Sequence, residues 1–176
     1  DRTNADEYKA IKERLYNYCP LIDPNAKDSA RFLAGTTEPL VEYHEGTITL
    51  NKFLDDAKTF CFLTTDGDQP KGRPFGFHLL DGDKIYFGCG TFKNVFSQLT
   101  KNPKVEVMAY TDQEFMRYDG TVKIVKDEKL LDKVRSVMPQ IMNLYDKNNW
   151  EMGMFYLENG HVEIRGMLDL KEEFDV

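Results

Sequence analysis

Two short stretches hold residues whose types and spacing could do chemistry. In "GCGTFKNVFSQLTKNP" (88–103) a glycine-flanked turn runs into an amphipathic helix. Thr91, Lys93 and Asn94 place a hydroxyl, an ammonium and an amide at its first turn. The first backbone N–H groups of a helix lack intrahelical partners and carry partial positive charge. An anion placed there would be held by those N–H groups and by a neighbouring cation. The plain alternative is Thr91 as an N-cap, worth about 1 kcal/mol, with Lys93 in solvent. In "GRPFGFH" (72–78) Gly72 and Gly76 interrupt a run that otherwise reads as strand, Pro74 removes a ladder donor, and Arg73 shares a face with Phe75 and Phe77. Glycine weakens a strand unless something must approach the backbone closely. A flat ligand along this backbone, with an anionic tail reaching Arg73, accounts for all three features; so does a bulged edge strand with a solvated arginine. One hairpin strand separates the stretches, so Arg73 and Lys93 could lie on neighbouring strands and converge on one phosphate. Arg117, in "EFMRYDG", is a third cation, although an arginine on a strand face beside Phe115 is more often a snorkelled surface group than a ligand contact.

Other chemistries lack their motifs. His44, His78 and His161 are scattered without HExxH or HxH, so no metal site is expected. No GxSxG or GxxxxGK[ST] occurs, which removes support for a hydrolase triad or a P-loop. Cys19, Cys61 and Cys89 are odd in number and far apart, against a disulfide scaffold or a zinc site. They suit a reducing cytoplasm. Thirty acids against 23 bases give a net charge of −7, which argues against a non-specific nucleic-acid binder but leaves room for a small anionic ligand. No run of about 18 apolar residues suggests a membrane span. The first residue is Asp1, which reads as a trimmed or processed start. Tyr145 and Trp150 could form an exposed aromatic patch at a subunit contact or a cofactor edge, or be buried in the core.

The elements that must position these residues follow from periodicity. Residues 1–45 read as a helical and irregular arm, with Tyr8, Ile11, Leu15 and Tyr18 near helical spacing and three prolines after them; 46–176 read as the main domain. "TLNKFLDDA" is a short helix capped by Thr49 or Asn51, "KTFCFLTT" a strand, and "KGRPFGFHLL" and "KIYFGCG" two strands of a hairpin through "DGD". Phe92, Val95, Phe96 and Leu99 make the apolar stripe of the next helix, which "KNP" ends. Two strands follow, then a helix to about Met138 with Leu130, Leu131, Val134 and Met138 facing inward. Pro139 opens a further turn or helix, and "GMFYLENGHVEIRGM" forms a closing hairpin around Asn159-Gly160. Short turns between consecutive strands imply antiparallel pairing. The order lacks βαβ alternation and favours a mainly β fold with helices, closed as a small barrel.

The run "FCFLTTDGDQPKGRPFGFHLLDGDKIYFGCGTFKNVFSQLTKNPKVEVMAY", with the later "FYLENGHVEI", resembles the FMN-binding split-barrel proteins of the pyridoxamine 5'-phosphate oxidase-like superfamily, over roughly residues 47–168. The resemblance implies a split antiparallel β-barrel and a homodimer with FMN at the subunit interface. It implies that Arg73, Pro74, Phe75 and Gly76 run along the flavin ring and ribityl chain. Thr91, Phe92, Lys93 and Asn94 would lie at the helix start that holds the phosphate, with Arg73 as second cation. Arg117 and Trp150 would contribute from the partner subunit. The implied activity is an FMN-dependent oxidoreductase or flavin reductase using a small-molecule substrate or a nicotinamide donor. A non-catalytic flavin- or haem-binding carrier or sensor is the alternative, and a deazaflavin would fit the same phosphate site. The vitamin-synthesising oxidase carries an arginine-rich substrate-binding tail where this chain reads "DLKEEFDV", so pyridoxamine phosphate is not the expected substrate. No general acid is identified, His78 being the one candidate named.

Overall fold

The strand-forming runs alternate apolar and polar residues, and a single curled sheet buries the apolar half. The computed structural model describes residues 44–176. Helix α1 (Glu45–Ala57) precedes β1 (Phe60–Asp66), β2 (Gln69–Phe75), β3 (Leu79–Asp81) and β4 (Lys84–Gly90). Helix α2 (Asn94–Lys101), β5 (Lys104–Tyr110) and β6 (Phe115–Val125) come next. Then follow α3 (Glu128–Val137), α4 (Pro139–Lys147), β7 (Met152–Arg165) and β8 (Leu170–Asp175). The strands pair in the order β2-β1-β5-β6-β7-β4-β3, with β8 also on β7, and every pairing is antiparallel.

Three strands separate β1 from β4 in that order, a distance of about 19 Å in a flat sheet. Yet the rings of Phe62 and Phe87 lie 5.9 Å apart, and both pack on Phe155 of β7. The sheet therefore curls into a barrel around a core that includes Phe60, Phe62, Phe87, Val107, Met116 and Val162. Among the described residues no ladder joins β2 to β3, so the wall is split there. Helix α2 packs against the barrel beside β1 and β4. Its Phe96 ring presses on Gly153 of β7, where an added Cβ would stand 2.3 Å from the ring. A second apolar cluster joins Leu130 and Val134 of α3 and Met142 and Tyr145 of α4 to Met152 and Met154. Asp127 caps α3 by accepting from the N–H groups of Lys129 and Leu130, and Pro139 is the first residue of α4, as its fixed φ favours. No helix among the described residues is long and apolar enough to cross a membrane.

Several sequence-based expectations need correction. The run 71–80 is not one strand. It breaks at Gly76–His78, and β2 pairs with β1 while the short β3 makes the hairpin with β4. At the break His78 leaves the ladder to contact Asp55 of α1 at 2.9 Å and to meet the edge of Phe60. "GRPF" and the helix start are therefore not on neighbouring strands. Asn159-Gly160 is not a hairpin turn either: Asn159 takes φ 52 and β7 runs straight through, its register with β6 shifting between Asp119 and Thr121. Gly120 and Gly160 face each other at this bulge, and a Cβ on Gly120 would lie 2.9 Å from that of Leu157. The closing hairpin is β7–β8, and "LKEEFD" is its second strand. Helix α1 begins at Glu45, so Thr49 and Asn51 are inside it; Asn51 bonds Asp55 instead of capping. The expected helix through Tyr8–Tyr18, and Cys19, lie outside the described residues.

Candidate functional site

Strand β4 ends at Gly90, and the chain turns through Thr91, Phe92 and Lys93 into α2. Lys93 is the N-cap residue, in extended conformation, and among the described residues no side chain caps the helix. Thr91 is thus not the cap; its N–H donates to the Glu151 carbonyl at 3.0 Å, while the Lys93 N–H donates to the Gly90 carbonyl at 3.0 Å and closes the turn. Lys93 and Asn94 are exposed, and the first N–H groups of an uncapped helix are available to an anion. Phe92 does not belong to the helix's apolar stripe. It is 52% exposed and packs at a tilt on Trp150, itself 41% exposed, at a centroid distance of 4.7 Å, with Tyr145 at 6.1 Å. Trp150 thus stands beside the helix start of its own chain. The buried face of α2 is Val95, Gln98 and Leu99.

Arg73 reaches α2 from β2. Its Nη1 donates to the Phe62 carbonyl (3.1 Å) and to Thr64 Oγ1 (2.7 Å), and its Nη2 donates to Gln98 Oε1 (2.7 Å). The Thr64 hydroxyl donates to the same Gln98 oxygen at 2.7 Å. Thr64 and Gln98 are both buried, and neither was picked out from the sequence. Gln98 stands at i+3 from Val95 and beside Leu99, so a polar residue in the apolar stripe was the available signal. Burial pulls the Arg73 pKa down. Burial pushes the Cys89 thiol up to about 11 against the opposing charges of Lys93 and Arg73. Both cations therefore act on one sulfur at the end of β4, although they do not come from adjacent strands.

The rest of "GRPFG" is accounted for by β2 being an edge. Pro74 faces Cys61 of β1 and is exposed, and an edge strand tolerates its missing N–H. Phe75 stacks on Phe62 at 4.8 Å and 14°. A Cβ on Gly76 would meet only the Lys58 carbonyl, at 3.9 Å, so the space in front of it is open. A groove of about 470 Å³ runs past Cys61, Gly72, Arg73, Pro74 and Tyr110.

The remaining candidates lie elsewhere. Arg117 bonds Glu163 at 3.1 Å, its guanidinium sits over the Phe115 ring, and its Nε is buried without a partner. The structure does not bring it to Arg73 or Lys93 within one chain. His78 is half-buried against α1, with its pKa lowered by that burial and its Nδ1 unpartnered. His44 pairs with Asp83, and His161 with Glu173 and Asp175. His161, Glu163 and Glu173 bring ligand atoms within 4.8 Å of one another, a grouping no sequence motif announced. Electrostatically the decisive contrast is among the four described arginines. Arg117, Arg135 and Arg165 each pair with a carboxylate; Arg73 has only neutral acceptors. Lys93 likewise has no carboxylate partner among the described residues.

The family model for pyridoxamine 5'-phosphate oxidase matches residues 47–163. No curated protein matches the chain. Among solved structures, a NimC/NimA family protein from Clostridium acetobutylicum superposes with a TM-score of 0.69 and 26% identity, over 76% of this chain and 96% of its own. General stress protein 26 from Bacillus anthracis aligns over 76% of this chain and all of its own, with a TM-score of 0.56 and 12% identity. A haem-binding protein from Mycobacterium smegmatis aligns over 77% of this chain and 60% of its own, with a TM-score of 0.56 and 10% identity. The last two likenesses are of fold alone.

Proposed function

Because the chain belongs to the pyridoxamine 5'-phosphate oxidase family, we propose that it is an FMN-dependent oxidoreductase or flavin reductase, acting as a homodimer with its cofactor at the subunit interface. The observation that carries this reading is a pair of cations with no carboxylate partner among the described residues: Lys93 at the start of α2, and Arg73 bonded to Gln98 of that helix, in a chain of net charge −7. A phosphate suits these donors. Arg73 would offer N–H groups in a planar fork, Lys93 a point charge, and Thr91, Asn94 and the first N–H groups of α2 neutral donors. Pro74, Phe75 and Gly76 would border the flavin ring on the open side of β2, with Phe92 and Trp150 as an aromatic wall. When bound, FMN supplies two-electron redox chemistry that no side chain here could supply. The chain's own part is to hold the phosphate, orient the ring and keep water from one side of it.

Exposed apolar residues support the dimer: Val137, Ile141 and Leu144 on α3 and α4 are exposed, as are Phe92 and Trp150. The unpaired thiols of Cys61 and Cys89 suit a reducing cytoplasm. The test is titration of the purified protein with FMN, followed by stopped-flow reduction with a nicotinamide donor and mass measurement in solution. A protein that takes up no FMN sinks the reading. One that binds FMN but accepts no electrons is a carrier or sensor, the second reading, for which the haem-binding likeness in fold is the support.

A further inference from the structure

We infer that Gln98 and Thr64 are positioning residues for the anion site: they hold the Arg73 guanidinium in place while leaving its charge uncompensated. This rests on the cofactor reading above. A guanidinium has five N–H donors and no acceptor. Arg73 gives both N–H groups of Nη1 and one of Nη2 to Phe62, Thr64 and Gln98. Nε–H and the second Nη2–H remain, which suffices for a bidentate contact with an oxyanion.

The supporting groups are arranged for this task. Gln98 Oε1 accepts from both Arg73 and the Thr64 hydroxyl at 2.7 Å. Its amide orientation is set by Arg73, because an NH₂ there would face a guanidinium N–H that can only donate. Thr64 accepts from Arg73 and donates to Gln98, so the three side chains close a ring of hydrogen bonds. Thr64 is 3% exposed and Gln98 8%, and each is fixed by its own element, β1 and α2. Through Gln98, the helix whose first turn carries Lys93 also fixes the second cation. Neutrality is the point of the choice. A glutamate at 98 would hold the guanidinium at least as well, but would cancel the charge that recruits an anion.

That distinction gives the experiment. Affinities for FMN and riboflavin are measured by flavin fluorescence for the parent chain, Gln98→Glu, Gln98→Met and Thr64→Val, with melting temperatures alongside. Riboflavin lacks the phosphate and reports everything else. The parent should prefer FMN. Gln98→Glu should keep the parent's melting temperature while the FMN-over-riboflavin preference falls at least about tenfold, with riboflavin affinity unchanged within roughly twofold. Gln98→Met and Thr64→Val should lower the same preference through a loosened Arg73. A Gln98→Glu variant that keeps the full preference overturns the inference and leaves the cofactor reading standing. A parent that does not distinguish the two flavins overturns both.

Discussion

Arg73 and Arg117 look alike in sequence: each sits on a strand with a phenylalanine two residues away, in a chain rich in acids. Folding treats them differently. Arg73 lies at the split of the barrel, held by a carbonyl, a hydroxyl and an amide. Arg117 lies on the outer face of the unbroken sheet, where register places Glu163 opposite it and Arg165 shares that carboxylate. A cation held by neutral acceptors keeps its charge for an incoming anion; one facing a carboxylate does not. The partners of a cation, more than its identity, separate a binding group from a surface group.

The comparison is tested most severely at Arg73. Arg73→Met should weaken FMN binding by about 3 kcal/mol, roughly 150-fold, as charge-assisted hydrogen bonds are lost from a partly buried site. It also leaves the buried Gln98 and Thr64 short of a partner, so the melting temperature should fall. Unchanged FMN affinity in a folded variant would move the site away from the barrel split. Lys93→Ala comes next, with an expected loss of about 2 kcal/mol in FMN binding. Lys93 is exposed and pins nothing, so stability should hold. If affinity holds too, the start of α2 is only the beginning of a helix.

Much of this was legible in the chain, and the exceptions share a cause. The apolar periodicities of α2, α3, β1, β4, β5 and β6 are local, and so were readable. Asn159-Gly160 has the composition of a two-residue turn, but the partner strand decides its role: with Gly120 opposite, the pair becomes a bulge inside β7. The split of 71–80 depends on His78 finding Asp55, 23 residues earlier, and that is tertiary information. In the site, Arg73 and Lys93 were visible as charges near unusual glycines. Gln98 was hidden by its position in an apolar stripe, and the ring it makes spans β1, β2 and α2. Nor could spacing reveal that Arg117 would meet Glu163, since the β6–β7 register is set after a helical excursion through α3 and α4.

Smaller effects should separate the two regions by pH. His161, on the outer face, is surrounded by Asp119 across the β6 ladder, Glu163 on its own strand, and Glu173 and Asp175 of β8. The hydrogen bond to Asp175 leads the causes that raise its pKa above 6.5. The stability it contributes is therefore complete below 6.5 and is lost as pH climbs through the raised value. His78, near the split, faces Asp55 of α1 and the Phe60 ring of β1, and burial lowers its pKa below 6.5. Its contribution is present above 6.5 and is lost as pH drops through the lowered value. Melting temperature across pH 5 to 9 should thus flatten on its alkaline limb in His161→Gln and on its acid limb in His78→Gln. The same limb responding in both variants would contradict the assignment.

The smallest expected effect is the sharpest test of the contrast. Arg117→Met should leave FMN affinity within roughly twofold of the parent and cost at most about 1 kcal/mol of stability. Arg117 is 43% exposed at its side chain, and Glu163 keeps Arg165 at 3.4 Å after the change, so no carboxylate is stranded. The methionine gives up the cation–π contact with Phe115, at a partly exposed site where such a contact is worth about 0.5–1 kcal/mol. The measurement to make is FMN affinity with riboflavin as the reference. A tenfold loss specific to FMN would mean that Arg117 reaches the phosphate from the other subunit despite Glu163. A carboxylate partner would then not suffice to disqualify a cation, and the exposed Lys93 and the clamped Arg73 would share the phosphate with a third charge delivered by dimerisation.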